Sequence, residues 1–114
     1  MVFWKLMSNL YKRFLTTLTA ATPADILVVP AATTAIVRSI IISNVSGSVA
    51  VVTLTIAPVG VGSHMLVPAL SVNDDNYAEI LTEPLNLEAA DILKATSNQS
   101  SVTVTLTALL VDRN

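Results

Sequence analysis

Residues 39–57 read SIIISNVSGSVAVVTLTIA, a stretch without one charged residue and with a single Ser-Gly-Ser break at 46–48. β-Branched and apolar residues dominate on both sides of the break, a composition typical of strands. After the break, Val52, Leu54 and Ile56 alternate with polar or outward positions, and this period of two predicts one buried face. We predict two long strands joined by a hairpin at the break, where the glycine can take a positive φ.

The rest of the chain after residue 14 has the same character, with Thr, Val, Ile and Leu interrupted by Pro, Gly, Asn, Asp and Ser. Asn98-Gln99-Ser100 predicts a second hairpin before the last strand. The sequence predicts an all-β fold, an antiparallel β-sandwich of about eight strands resembling a jelly roll. The candidate strands cover residues 15–20, 25–29, 34–44, 49–57, 64–68, 77–82, 91–96 and 101–111.

Two details refine this prediction. Strand 34–44 is apolar on both faces, with Ile36, Ile40 and Ile42 on one side and Val37 and Ile41 on the other, so we expect it to be central or covered. Strand ends are expected at four prolines, because a missing N–H there harms no hydrogen-bond ladder. These prolines are Pro30, Pro58, Pro68 and Pro84.

Residues 2–14, VFWKLMSNLYKRF, follow a helical spacing of apolar residues, which predicts an amphipathic helix. We divide the chain into a helical arm, 1–14, and a β-sandwich domain, 15–114. So short a helix needs a surface to dock on. That surface is its own sheet or a sister subunit, a larger assembly, or a membrane surface. The residues expected to contact a partner are Phe3, Trp4, Leu6, Met7, Leu10, Tyr11 and Phe14.

Composition limits the function classes. The 114 residues make one domain of 12.0 kDa, 53% hydrophobic and only 12% charged, which favours burial of surface between subunits. There is no cysteine, so a disulfide framework or thiolate metal site is excluded. The first 14 residues carry a charge of +3 and the remainder −5, a poor match to nucleic acid. No apolar run is long enough to span a bilayer, and no secretory signal is expected.

No motif indicates catalysis. His64 is the only histidine and has no ligand partners at metal-binding spacing, so we expect a strand-edge or loop residue. Asn73-Asp74-Asp75-Asn76 is either a turn or a cation site. Four acidic residues, Glu79, Glu83, Glu88 and Asp91, are not visibly paired for glycoside hydrolysis. With no nucleophile motif either, the sequence predicts a non-enzyme without cofactor or metal.

Two segments resemble small structural proteins of tailed-bacteriophage virions. ILVVPAATTAIVRSIIISNVSGSVAVVTLTIAP, residues 26–58, is similar to their strand ending in V-P-A, long apolar strand, Ser-Gly turn and Thr/Val strand. PLNLEAADILKATSNQSSVTVTLTALLVD, residues 84–112, looks like their final segment. Those proteins usually have glycine where this chain has Ala32, so that turn is expected to be built differently. They also commonly have glycine in place of Ala90.

The resemblance implies a non-catalytic component located in the virion: a head decoration or cement protein, a head or collar fibre, or a tail-associated subunit. Its implied partners are further copies of itself, expected as trimers, and virion proteins such as major capsid or neck proteins. The alternative is a receptor- or carbohydrate-binding module of a fibre or tail. Sugar platforms favour exposed aromatics, and outside residues 2–14 the chain has only Tyr77.

Overall fold

The computed structural model describes residues 9–58, 60, 62–81 and 83–112, which form two antiparallel sheets. Sheet A has the order β1-β9-β3-β6, with β7 also paired to β3, and sheet B has the order β2-β8-β4-β5. The strands are β1 Asn9–Leu18, β2 Ala24–Val28, β3 Thr33–Asn44, β4 Ala50–Ala57, β5 His64–Val72, β6 Asn76–Glu79, β7 Leu85–Leu87, β8 Ile92–Ser97 and β9 Val102–Asp112.

The facing sides of the two sheets share one apolar core, which is the arrangement of a β-sandwich. On β4, Val52 and Leu54 are fully buried while Thr53 and Thr55, which alternate with them, are only partly buried, as the alternation predicts. On β9, Val102, Val104 and Leu106 behave in the same way. The all-β, antiparallel prediction is therefore confirmed, and the finer jelly-roll assignment stays a prediction.

Strand β3 lies inside sheet A, as expected from its two apolar faces. The side chains on each face, however, differ from those predicted. The register with β9 shifts between Val37 and Ser39, so Arg38 is an extra residue in a β-bulge. The bulge reverses the side on which each later side chain lies. Val37 therefore shares the buried face with Ile40 and Ile42, while Ile36 stays on the half-buried outer face.

Both predicted hairpins are wrong, because each connects strands of different sheets. Residues 46–48 lead from β3 in sheet A to β4 in sheet B, and residues 98–100 lead from β8 in sheet B to β9 in sheet A. Gly47 does have a positive φ, 90°. The local turn chemistry was thus predicted correctly, but the strands on either side of it face each other across the core.

The predicted helix is wrong over residues 9–14. These residues begin β1, which pairs with β9 in continuous register from Asn9 opposite Val111 to Leu18 opposite Val102. Pairing along the whole of β9 gives the backbone hydrogen bonds that a short isolated helix would supply poorly. Residues 2–8 of the predicted helix lie outside the described residues. The division into an arm, 1–14, and a sandwich, 15–114, stays a prediction, with β1 continuous across residues 14 and 15.

Pro68 lies within β5 and not at a strand end. It is tolerated there because β5 is an edge strand and its register with β4 shifts between Val52 and Leu54 and again between Leu54 and Thr55. The described residues contain no helix long and apolar enough to cross a membrane.

Alanine occupies three left-handed backbone positions that favour glycine, one of them Ala21 with φ 60°. Ala32, between β2 and β3, has φ 55°, and Ala90, between β7 and β8, has φ 68°. The turn at residue 32 was expected to be built differently without glycine. Instead, Ala32 itself adopts the left-handed conformation, and its φ is not negative. The Ala90 turn is closed by backbone hydrogen bonds, including one of 2.9 Å from its N–H to the carbonyl of Val29.

Candidate assembly surface

The part of the chain that the structure describes contains no pocket and no cluster of three acidic or histidine side chains able to hold a metal ion. His64 begins edge strand β5 and is exposed, as predicted. The surfaces and edges of the two sheets are therefore the candidates for a functional site.

The acidic and amide run 73–76 forms a turn, which confirms the first of its two interpretations. Asp75 has a left-handed backbone, φ 56°. The Oδ1 of Asp74 accepts a hydrogen bond of 2.8 Å from the N–H of Gly47, and the Oδ1 of Asn76 accepts one of 2.8 Å from the N–H of Tyr77. The Asp74 bond joins the β5–β6 connection to the β3–β4 connection, whereas the Asn76 bond is local to the start of β6.

The four later carboxylates do not form a matched pair. Asp91 is half-buried, and its Oδ2 accepts a hydrogen bond of 2.8 Å from the N–H of Glu88, which shapes the β7–β8 turn. Glu79 is exposed on β6, while Glu83 and Glu88 are exposed in the connections on either side of β7. Glu79 and Glu83 share one edge of sheet A, while Glu88 and Asp91 lie in the connection from β7 to β8 in sheet B.

The residues predicted to contact a partner divide into two groups. Phe3, Trp4, Leu6 and Met7 lie outside the described residues. The other three lie on β1, where alternation places Leu10 and Phe14 on one side of the strand and Tyr11 on the other. Phe14 packs against the core, and its ring lies 5.4 Å from the Nζ of Lys12. These residues therefore do not form the single face that a helix would give.

Strand β1 carries three exposed large apolar side chains on either side of Lys12 and Arg13. Leu10, Tyr11 and Leu15 are 54%, 63% and 61% exposed. Tyr11 lies opposite Leu109, and Leu109 lies opposite Ile36. This row crosses three strands on the outer face of sheet A. Two rows further along, Leu15, Thr105 and Ile41 form a similar row.

The two edges of sheet A differ in charge. Edge strand β1 carries Lys12 and Arg13, both exposed. On the opposite side β6 and β7 follow one another along β3, and this β6–β7 edge carries Glu79 and, in the connection between the two strands, Glu83. Sequence reasoning missed this asymmetry, because the edge positions follow from the strand order and from no local motif.

The edges of sheet B are less open to pairing. β5 contains Pro68, which has no N–H, and two register shifts. β2 is five residues long and has a register shift between Asp25 and Leu27. A salt bridge of 2.9 Å joins Asp25 on β2 to Lys94 on β8. In contrast, β1 is ten residues long and pairs with β9 without a bulge.

No protein-family model matches the sequence, and no curated protein matches it. The fold is similar to that of a protein in the acidic stable capsid structure of Helicobacter pylori bacteriophage KHP30. The TM-score is 0.56 and the identity 8%, over 96% of this chain and 92% of the other. It is also similar to the Bacillus endospore appendages described as disulfide-linked pili, with TM-score 0.53 and 14% identity, over 95% and 90% of the two chains.

A third likeness is too weak to establish a shared fold. It is to a pentameric capsid protein isolated from metagenomic phage sequences, with a TM-score of 0.41 and 19% identity, over 90% of this chain and 61% of the other. What the first two likenesses establish is the fold, over nearly the whole of each chain.

Proposed function

We propose that the chain is a non-enzymatic structural protein of a bacteriophage virion, a decoration, cement or head- or neck-attached subunit that packs as a homo-oligomer. The observation that carries this proposal is the likeness in fold to the protein of the bacteriophage KHP30 capsid structure, which covers 96% of this chain. At 8% identity the likeness is one of architecture. The resemblance of segments 26–58 and 84–112 to virion proteins supports the same assignment independently.

The surface supports an assembly role more than a catalytic one. Only 12% of the residues are charged, and the outer face of sheet A carries threonine and aliphatic rows. Such a face is suited to contact with other subunits. Trimers at three-fold positions of an icosahedral lattice are our working stoichiometry.

The second likeness, to the endospore appendages, concerns a protein described as forming disulfide-linked pili. The present sequence has no cysteine, so it cannot form that linkage. This difference favours a capsid-associated role over a pilus-like role for this chain.

We further propose that residues 2–8, followed by the exposed start of β1, form the arm that attaches the protein to a capsid or neck protein. The arm would use Phe3, Trp4, Leu6 and Met7, together with Leu10 and Tyr11, and Phe14 would anchor β1 to its own core. The arm is basic and the sandwich acidic, so it is suited to an acidic surface on the particle.

The test is to detect the protein in particles. Particles are purified from cultures of the bacteriophage whose genome encodes the chain, and they are probed by immunogold labelling and mass spectrometry. Labelling at regular positions is expected, and its absence from all particles would overturn the proposal. A variant lacking residues 2–8, which leaves β1 intact, is expected to lose attachment while keeping its fold. The matched control replaces Tyr77, exposed at the far end of the same face, with serine and should attach normally.

Carbohydrate binding is the alternative outcome. Tyr77 and Tyr11 are the exposed aromatic residues of the described chain, and they lie in rows of sheet A separated by six residues along β9, Thr103 and Leu109. That separation is about 20 Å at the rise of a strand, too far for one sugar ring to contact both. Specific binding on a glycan array that the Tyr77 variant abolishes would favour this alternative.

A further inference from the structure

Among the described residues, no strand pairs with the outer side of edge strand β1. In antiparallel pairing with β9, alternate residues direct their N–H and C=O groups away from β9. An exposed edge of ten residues without proline or bulge is a template for a further strand. The question is which strand has the right chemistry to pair with it.

Charge argues against a second β1. In a symmetric β1–β1 pair, Lys12 and Arg13 of two copies would lie near one another, and like charges across a strand pair are destabilising. A partner strand should instead present carboxylates. The β6–β7 edge of the same sheet does so, with Glu79 and Glu83 exposed along it.

The basic residues of the β1 edge and the carboxylates of the β6–β7 edge also lie at the same level along the strand direction. Arg13 lies opposite Thr107, and Thr107 lies opposite Ser39. On the other side of β3, Ile41 pairs with Glu79 and Val37 pairs with Leu85. The row that begins at Arg13 therefore ends between Glu79 and Leu85, at the connection that contains Glu83. A neighbouring copy placed without a shift along the strands would bring Arg13 to these carboxylates.

The strand directions agree as well. β1 and β3 are both antiparallel to β9, so they run the same way, whereas β6 and β7 are antiparallel to β3. Rotation about an axis parallel to the strands preserves each direction. It therefore places β1 of one copy antiparallel to the β6–β7 edge of the next, the pairing that short loops and twisted sheets favour.

We infer that copies of this chain assemble head to tail through sheet A, the basic β1 edge of one copy meeting the acidic β6–β7 edge of its neighbour in a closed ring. Such a contact is heterologous, so it joins two different surfaces of the same chain. The inference rests on the homo-oligomeric part of the proposed function and does not depend on where the ring is used.

The experiment is a charge exchange read by light scattering of the full-length chain. The wild type should have a mass that is a multiple of 12.0 kDa, decreasing as salt is raised. Variant K12E/R13E and variant E79K/E83K should each raise the dissociation constant at least about tenfold, because like charges then face each other. The variant that carries all four substitutions, K12E/R13E/E79K/E83K, should restore the oligomer. Circular dichroism of each variant checks that the fold is kept.

Mixing separates a ring from a symmetric dimer. K12E/R13E has two acidic edges and E79K/E83K two basic ones, so an equimolar mixture should form mixed pairs where neither variant associates alone. A ring with an odd number of copies cannot alternate the two variants, so closure is not required of the mixture. The control D25K/K94E reverses both charges of the salt bridge in sheet B, away from both edges of sheet A, and should leave the mass unchanged. A β1–β1 dimer would keep its mass in E79K/E83K, because these substitutions lie on the opposite edge of sheet A, and that result would overturn the inference.

Two other outcomes have separate meanings. A monomeric wild type would overturn both the ring and the homo-oligomer in the proposed function. An oligomeric wild type whose mass none of the charge variants changes would overturn the ring alone. Labelling of particles, described above, tests the virion role whatever the result here.

Discussion

The side-chain Nδ2 of Asn44 donates a hydrogen bond of 2.8 Å to the backbone carbonyl of Val72, which joins the end of β3 in sheet A to the end of β5 in sheet B. The same nitrogen donates to the carbonyl of Ser48 at 2.7 Å, and Oδ1 accepts from the N–H of Ser46 at 2.9 Å. Asn44 is fully buried, so this one side chain satisfies three backbone groups at the end of the sandwich.

Replacing Asn44 with alanine should lower the free energy of unfolding by about 2–4 kcal/mol, since three hydrogen bonds of about 1 kcal/mol are lost and buried groups are left unpaired. Asn44→Asp should be at least as damaging, because a carboxylate cannot donate to the two carbonyls. Urea unfolding measures both. The control Asn98→Ala removes a single exposed bond of 2.8 Å, to the N–H of Val51. Equal losses for Asn44→Ala and Asn98→Ala would contradict this account.

Alanine at the left-handed position 90 is a source of strain that glycine should relieve. An L-residue in this region costs roughly 1–2 kcal/mol. Glycine avoids that cost, but about 0.4–1 kcal/mol of the gain is lost because glycine raises the conformational entropy of the unfolded chain. Ala90→Gly, and Ala32→Gly for the same reason, should each raise the melting temperature slightly. Ala89→Gly, next in sequence but at an ordinary φ, should lower it. A lower melting temperature for Ala90→Gly would show that the turn is not strained.

Deletion of Arg38 should be tolerated, unlike deletion of most residues within a central strand. Without it, Val37 opposite Ala108 is followed directly by Ser39 opposite Thr107, and the ladder with β9 becomes regular. Deletion of Ile41 should prevent folding, because it moves Ile42 to the outer face. Circular dichroism and thermal unfolding of the two deletions compare them. Similar loss of structure in both would mean that the bulge is required for folding.

The salt bridge between Lys94 and Asp25 should contribute less than about 1 kcal/mol, because both side chains are partly exposed and water screens their attraction. Their exposures are 35% and 48%. A double-mutant cycle with Lys94→Met and Asp25→Asn measures the coupling, which should shrink in high salt. A coupling that stays constant in high salt would indicate that a partner subunit covers this face of sheet B.

Alternation of apolar and polar residues was sufficient to predict most strands. The apolar residues are spaced by two on β4, at Val52 and Leu54, and on β9, at Val104 and Leu106, and this spacing fits a strand and not a helix. It failed for β1 because Leu10, Phe14 and Leu18 are spaced by four residues. That spacing places side chains on one face of a helix and also on one face of a strand. The aromatic residues Tyr11 and Phe14 were the signal in this segment that favoured a strand.

The site was harder to predict than the elements. Which strand lies at an edge depends on pairing between residues far apart in sequence, such as Arg13 with Thr107 and Ile41 with Glu79. Turn composition at 46–48 indicated a change of direction but not that the chain changes sheets. Charge polarity across sheet A thus becomes visible only once the strand order is known.

The place of β9 between β1 and β3 has a consequence for synthesis. β9, residues 102–112, is made after the other eight described strands, yet it is the partner of β1 and of the long central strand β3. Until it emerges, β1 has no strand to pair with and the apolar side of β3 lacks its neighbour. The uncharged segment 39–57 lies on β3 and β4, so it stays without its partner strands β8 and β9 from its own synthesis until those strands emerge, the interval in which a chaperone would have the most to bind.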